Sequence, residues 1–448
     1  MEAARGVGAR RSPIIFLEFT QCGRCLTVEK ETPPLPGVAA KEEAAGPMAS
    51  TTLTTPIRRR LSTFAKGLAR PFTDSRRRNF ITDMLTGLVA AGHVHLTAIA
   101  RGISRGTGSI HAAEKRLSRN LASEHWEADP IAAELLRRSA ALVTDDTLIP
   151  GDTTDLAKYY ARHLEGLGRV HDGSDPEGRT APGYCVFEAY VRVGKWQLFP
   201  LLVEPLKVYA GAATGENAEL LRHILRIHEA AEKKGTWVLD RGFDRRELYG
   251  PLVKNAVAFV VRQRGDRTVR TADGREVTID ALVAEHTCPC PKPWPSGGVS
   301  VTVEVWLPEV SEEPFLLVIG WRVPKSERPL VLLVSPAARR SGRTGKWFVR
   351  AYHKRWGVED ATRGIKQQFR VEQFLVRTWR ALRRLLWLVA WSFWWLNLWG
   401  EERFAPLREA LMNHPWRLKK AVTYLFDWIA TMLRKLLHPH PKVTNHTG

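Results

Sequence analysis

The chain has 448 residues, with 67 Lys and Arg against 47 Asp and Glu, a formal excess of +20 and an isoelectric point near 10.0. At roughly 150 residues per domain this length accommodates about three domains, and 44% hydrophobic with 25% charged residues excludes a wholly disordered chain. The charge points to a polyanion, either nucleic acid or an anionic membrane face, while five cysteines are too few for a disulfide framework and fit a reducing cytosol.

Residues 1–55 mix Gly, Ala, Pro, Thr and charge without period and read as a poorly ordered tail, with Met48 as an alternative start. Ile14 to Leu17 is too short for a signal-peptide core. Cys22 and Cys25 form a C-x-x-C pair, but His286, Cys288 and Cys290 lie far downstream, so a shared zinc site is the less favoured reading. Eight basic residues against Asp74 crowd the stretch from Ile57 to Arg78. From Arg76 to Arg138 apolar residues recur at three- and four-residue steps: Phe80, Met84, Leu85 and Leu88, then Leu96, Ile99, Ala100 and Ile103. Gly102 to Gly108 breaks this run before a basic helix over Ile110 to Leu121. That order is compatible with a helix-turn-helix DNA reader or with a plain helical bundle.

Strands follow. Tyr184 to Val193 and Trp196 to Val203 are β-rich runs separated by Gly194-Lys195, a hairpin signal. A helix over Asn217 to Lys233 precedes a short buried strand, Thr236 to Leu239, ending at Asp240, and another strand covers Ala256 to Gln263. Residues 265–328 change character: strand-like runs Val277 to Val283, Val299 to Leu307 and Phe315 to Trp321 alternate with Pro- and Gly-rich turns and read as a β-rich insertion. Leu330 to Val334 is a last apolar strand before an Arg-rich helical stretch. Fourteen basic against three acidic residues lie between Arg339 and Arg384, so two clusters look like two contact surfaces on one polyanion. Leu385 to Gly400 falls short of the roughly 18 to 20 apolar residues a spanning helix needs and reads as a buried core helix.

Phosphoryl transfer at neutral pH is served by two metal ions held by carboxylates from different elements, and Mg²⁺ takes a few carboxylates plus water. Asp152 ends a short apolar segment and Asp240 ends the Thr236 to Leu239 strand; either alone is also an ordinary turn residue. A helix over Lys346 to Phe369 carries the third element. At roughly 100° per residue, Tyr352, Arg355, Glu359 and Lys366 fall within an arc of about 60°, whereas Asp360 projects off it. This stripe is either a salt-bridge ladder or a metal ligand flanked by phosphate-gripping groups.

These four residues match the Y-(2)-R-(3)-E-(6)-K signature of the bacterial insertion-sequence-four transposases. Gly151 to Asp155, with Glu165 to Gly168 and Asp172 to Ser174, resembles their first acidic block, and Val238 to Phe243 the second. The resemblance spans about residues 75–400 and implies an α/β chain. Its catalytic core would be ribonuclease-H-like, built on a mixed sheet, interrupted by a β-rich insertion and preceded by a helical DNA-binding domain. It implies a DDE triad of Asp152, Asp240 and Glu359 binding two Mg²⁺ or Mn²⁺, with Asp152 favoured over Asp145, Asp146 and Asp155. Tyr352, Arg355 and Lys366 would grip the DNA backbone. Trp356 would hold an unpaired end base or simply fill the core. Pro329-Leu330-Val331 stands where hairpin-forming members carry a stacking Trp; Trp321 or Trp347 are the nearby substitutes.

The expected organisation is a tail (1–55), a helical DNA-binding domain (56–140), a first core part (141–264), the insertion (265–328), a second core part (329–400) and a helical C-terminal tail (401–448). The expected activity is cleavage at the ends of an insertion sequence and joining of the 3′-hydroxyl to target DNA. Terminal inverted repeats and target duplex would be the partners of a homodimer that is cytoplasmic, nucleoid-associated and free of membrane. A cleavage-inactive repressor or domesticated remnant, and a nuclease without strand transfer, are the alternatives.

Overall fold

The computed structural model describes residues 48–103, 109–127, 129–171, 177–194, 197–207, 215–286, 299–321, 328–412 and 425–437. Cys22, Cys25, Asp172 to Ser174, Lys195, Trp196, Cys288 and Cys290 therefore lie outside the described residues.

Helices come first: α1 (Met48–Leu68), α2 (Ser75–Ala91), α3 (Leu96–Ile103), α4 (Ile110–Ala122) and α5 (Asp129–Ala140). Helix α1 begins within the stretch expected as tail, because Ile57, Leu61, Ala65 and Leu68 bury one face at helical spacing. Asp74 starts α2 by accepting from the Arg76 amide at 2.8 Å, and Gly92 ends it at φ 58°, a left-handed cap that glycine takes without strain.

The sheet strands are β1 (Leu148–Ala157), β2 (Gly168–His171), β3 (Thr180–Val193) and β4 (Gln197–Pro205), then α6 (Glu216–Ala230), β5 (Thr236–Leu239), α7 (Arg246–Lys254) and β6 (Phe259–Arg262). A short ribbon of β7 (Thr268–Arg270) and β8 (Glu276–Thr278) leads to α8 (Ile279–Ala284), β9 (Val299–Val305), β10 (Phe315–Trp321) and β11 (Leu330–Val334). The main sheet runs β2-β3-β1-β5-β6-β11-β10-β9, with β4 also on β3. Strands β1, β5 and β6 are mutually parallel and the other pairs antiparallel, giving a mixed α/β architecture.

One expectation changes here. The strand read over Val277 to Val283 stops at Thr278, whose hydroxyl caps α8 by accepting from the Ala281 amide. Strands β9 and β10, which fall within residues 265–328, join the main sheet through β11.

The C-terminal elements are α9 (Pro336–Arg339), α10 (Gly345–Arg355), α11 (Gly357–Phe369), α12 (Trp379–Asn397), α13 (Ala405–Met412) and α14 (Leu425–Leu437). Helix α12 is buried almost throughout and packs on β4, α2, α4, α5 and α14, so it joins the N-terminal helices to the sheet. No helix among the described residues is long and apolar enough to cross a membrane. At the start of α12, the Glu165 carboxylate accepts from the Trp379 amide at 3.0 Å. Gly166, at φ 73°, leaves room for the Trp379 ring, which a Cβ would meet at 2.4 Å.

Part of cluster 339–384 is paired within the fold, while Lys346, Arg350, Lys354, Arg370 and Arg377 stand exposed. Arg339 pairs with Glu304, Arg340 with Glu313, Arg343 with Asp146, and Arg383 with Glu204. Arg384 is 3% exposed and donates to the carbonyls of Asn120, Leu121, Ser123 and Trp126, closing the end of α4.

Candidate active site

Parallel pairing of β1 with β5 ends at Gly151 opposite Leu239, so Asp152 and Asp240 are the next residues on two neighbouring central strands. Asp152 does not end its strand as expected. Antiparallel pairing with β3 carries β1 on to Ala157, leaving Asp152 in mid-strand where only the parallel partner has stopped. Its Oδ1 accepts from the Thr153 amide at 2.9 Å. Asp240 Oδ1 accepts from the Gly242 amide at 2.8 Å and so caps a tight turn over Arg241–Phe243. Asp146 is instead exposed and paired with Arg343, and the Asp155 carbonyl accepts from Lys366 Nζ at 2.7 Å.

The single helix expected over Lys346 to Phe369 is two helices, with a seam at Trp356. Trp356 keeps helical dihedrals (φ −55°, ψ −18°), so the face continues across the seam although the hydrogen-bond ladder is interrupted. Arg355 Nη1 donates to Asp152 Oδ2 at 3.0 Å and Nη2 to Glu359 Oε1 at 2.7 Å. One guanidinium thereby joins β1 to α11. Tyr352 is buried, with its ring 5.6 Å from that guanidinium, and Lys366 Nζ also pairs with Glu372 at 3.1 Å. Tyr352 and Arg355 are 3% and 6% exposed; Arg355 is held by the two carboxylates, and Tyr352 packs in an apolar cluster with Leu148, Val238 and Phe348. Trp356 is 41% exposed; Asp360 pairs with Arg363, off the stripe. The Trp347 face is covered by Arg343, 4.0 Å above it.

Burial pushes the Asp152 carboxyl up to about 7. Arg355 opposes this, and Asp240 and Glu359 add like-charge repulsion. The donor set is all hard oxygen, of the kind that suits Mg²⁺ or Mn²⁺, and a divalent cation there would relieve the repulsion that Asp152 feels. Among the described residues, no three His, Cys, Asp or Glu groups stand close enough together to hold one ion; Asp152 and Glu359 share Arg355 instead.

Sequence reasoning missed Glu188. It stands opposite Asp152 in the β1–β3 register and is 3% exposed. Its Oε2 accepts from Tyr190 Oη at 2.9 Å and from Thr362 Oγ1 of α11 at 2.6 Å. Burial raises its carboxyl pKa, the two hydroxyl donors acting against that. The signal was a lone acidic residue inside the apolar run Tyr184 to Val193.

Residues 207–395 match the family model described as "Transposase DDE domain", which supports a DDE transposase. The matched stretch includes Asp240, Tyr352, Arg355, Glu359 and Lys366 and leaves Asp152 outside. No curated protein matches the chain. Among solved structures, a "piggyBac transposase synaptic complex with hairpin DNA" is similar at 12% identity and a TM-score of 0.39, covering 88% of this chain and 85% of that one, a likeness too distant to carry an argument.

Proposed function

We propose that the chain is a DDE transposase of the insertion-sequence-four type, which cuts at the ends of its own element and joins the freed 3′-hydroxyl to target DNA by transesterification. One observation carries the reading: Asp152 and Asp240 directly follow the last parallel pair of the neighbouring strands β1 and β5, and Arg355 ties Asp152 to Glu359 on the signature face. The strand order β4-β3-β1-β5-β6, an antiparallel meander followed by two parallel crossovers, favours a ribonuclease-H-like core. Helices α1 to α5, with exposed Arg59, Lys66 and Arg70, would bind the terminal repeats.

In this reading Asp152, Asp240 and Glu359 hold two Mg²⁺ or Mn²⁺, whose chemistry is to activate the attacking oxygen and stabilise the leaving one. Arg355, released by one carboxylate, presents its planar fork to a phosphate, which accepts two parallel hydrogen bonds. Lys366 lies farther along the same face and reaches the next part of the strand. The protein would act as a homodimer pairing two DNA ends, in the cytoplasm at the nucleoid.

The test incubates protein and Mg²⁺ with a duplex carrying the flanking terminal repeat, with and without a target plasmid. Joined product supports transposition, and cleavage without joining supports a nuclease. Full cleavage by Glu359→Gln would overturn the site. A second reading, binding without cleavage, is favoured by one feature, the occupation of both Asp152 and Glu359 by Arg355; binding with neither product would establish it.

A further inference from the structure

Beyond Asp152, strand β1 runs through Asp155 to Ala157, and the chain then turns, with the Ala161 amide donating to the Lys158 carbonyl at 2.9 Å. Tyr160 in this turn is 98% exposed and Tyr159 is 55% exposed. Leu375, on the segment that faces the turn, is 72% exposed. Large exposed side chains on two segments tied to each other through Lys158 mark a contact surface more than a folding need.

The base beneath them is fixed. Lys158 Nζ donates to the Glu372 carbonyl at 2.8 Å and to that of Phe374, and lies 3.8 Å from the Phe374 ring centre. The Glu165 amide donates to the Arg377 carbonyl at 3.0 Å. Two chain segments are thus zipped together under the exposed rings. Lys366 links this base to the acidic centre, since it lies on the same helix as Glu359, donates to the Asp155 carbonyl and pairs with Glu372. Arg162, Arg370 and Arg377 are exposed on the same two segments.

Aromatic faces beside cations, on a rigid base leading away from a phosphodiester-cutting centre, match the chemistry of an unpaired nucleic-acid strand. Arginines take its phosphates, and rings take base faces that a duplex keeps covered. We propose that Tyr160, with Tyr159 and Leu375 beside it, is a stacking platform for unpaired bases of a single-stranded DNA overhang next to the cleavage point. The proposal rests on the transposase reading.

The experiment uses the full chain without divalent metal, so that binding is read without cleavage. The probes are a blunt duplex and the same duplex with a short single-stranded overhang carrying 2-aminopurine, and the variants are Tyr160→Ala and Tyr160→Phe. The wild type should bind the overhang duplex about tenfold more tightly than the blunt one and change the 2-aminopurine fluorescence. Tyr160→Ala should lose both effects with unchanged blunt-duplex affinity, and Tyr160→Phe should keep them. Equal behaviour of Tyr160→Ala and wild type on the overhang overturns the proposal while leaving the transposase reading standing. Reduced self-association of Tyr160→Ala in sedimentation, with DNA binding unaltered, also overturns it and makes the surface an interface between copies. If the wild type binds neither duplex, the transposase reading falls and the platform with it.

Discussion

Arg355 carries the largest electrostatic responsibility of any single side chain in the candidate site. Its side chain is 7% exposed and is held by a carboxylate 22% exposed on β1 and another 45% exposed on α11. Removing one partner from a buried pair costs about 3–5 kcal/mol; the wetter Glu359 side screens part of that, so Arg355→Gln should cost about 2–3 kcal/mol. Mg²⁺ or Mn²⁺ should then raise the melting temperature of Arg355→Gln more than that of the wild type, because the ion takes over the counter-charge. Thermal melts with metal and with chelator measure this. Equal metal responses would argue against these carboxylates as an ion site. His223 presents the opposite case. Burial first, then Arg222, Arg226 and Arg383, push its pKa down to about 3, so the folded protein keeps the ring neutral. A depressed folded pKa gives stability that is full above the unfolded value near 6.5 and is lost as pH falls toward 3. At pH 5 the loss is about 2 kcal/mol. His223→Phe should flatten the fall in melting temperature between pH 7.5 and pH 5, and a wild-type slope in that variant would refute the assignment.

Between elements, the decisive joint is the one that sets α11 against β3. Thr362 lies three residues beyond Glu359, and its hydroxyl donates to the buried Glu188, itself opposite Asp152. Thr362→Val keeps the shape and removes the donor, leaving Tyr190 as the remaining hydroxyl on Glu188. The expected cost is about 1–2 kcal/mol of stability, and on the proposed function single-turnover cleavage should slow, because α11 keeps only the Arg355 bridge to the sheet beside Glu359. Unchanged unfolding and cleavage would show that Glu188 only fills space. Neither Glu188 nor Thr362 was singled out from the sequence, whereas the helix face beside them was. The stripe of Tyr352, Arg355, Glu359 and Lys366 was readable because side-chain direction follows helical period, and that period survives the seam at Trp356. The seam itself escaped because Gly357 only weakens a helix and does not name a break point. The mid-strand position of Asp152 escaped for another reason: it depends on where the parallel partner β5 stops, which is a tertiary fact. Val277 to Val283 was misread because a short apolar run does not separate strand from helix, and the Thr278 cap decided it.

At the scale of the molecule, α12 makes the helical N-terminal part and the sheet mutually dependent. It packs on both, and Arg384 closes the end of α4 from within it. Leu388 is fully buried at its centre, so Leu388→Ala should cost about 2–5 kcal/mol. Because the helix is shared, α1 to α5 and the sheet should lose protease resistance together; an N-terminal fragment surviving digestion of that variant would contradict this.

The same long-range ties redistribute the +20 excess. Sequence counting placed comparable weight on two basic clusters, since it cannot see that Glu304 and Glu313, distant in the chain, neutralise Arg339 and Arg340. Cations already paired to carboxylates release few counterions when DNA arrives. By contrast, Arg59 and Lys66 lie seven residues apart on α1 and share an exposed face, with exposed Arg70 just beyond the helix end. Each phosphate contact contributes about 0.9 to the slope of log affinity against log salt. Replacing Arg59 and Lys66 together by Gln should therefore reduce the slope for duplex DNA by about 2, and replacing Arg339 and Arg340 should leave it nearly unchanged. Equilibrium binding across a salt series measures both. A larger slope change from the Arg339 and Arg340 pair would mean that these ion pairs open on DNA and that the second cluster is the main contact surface.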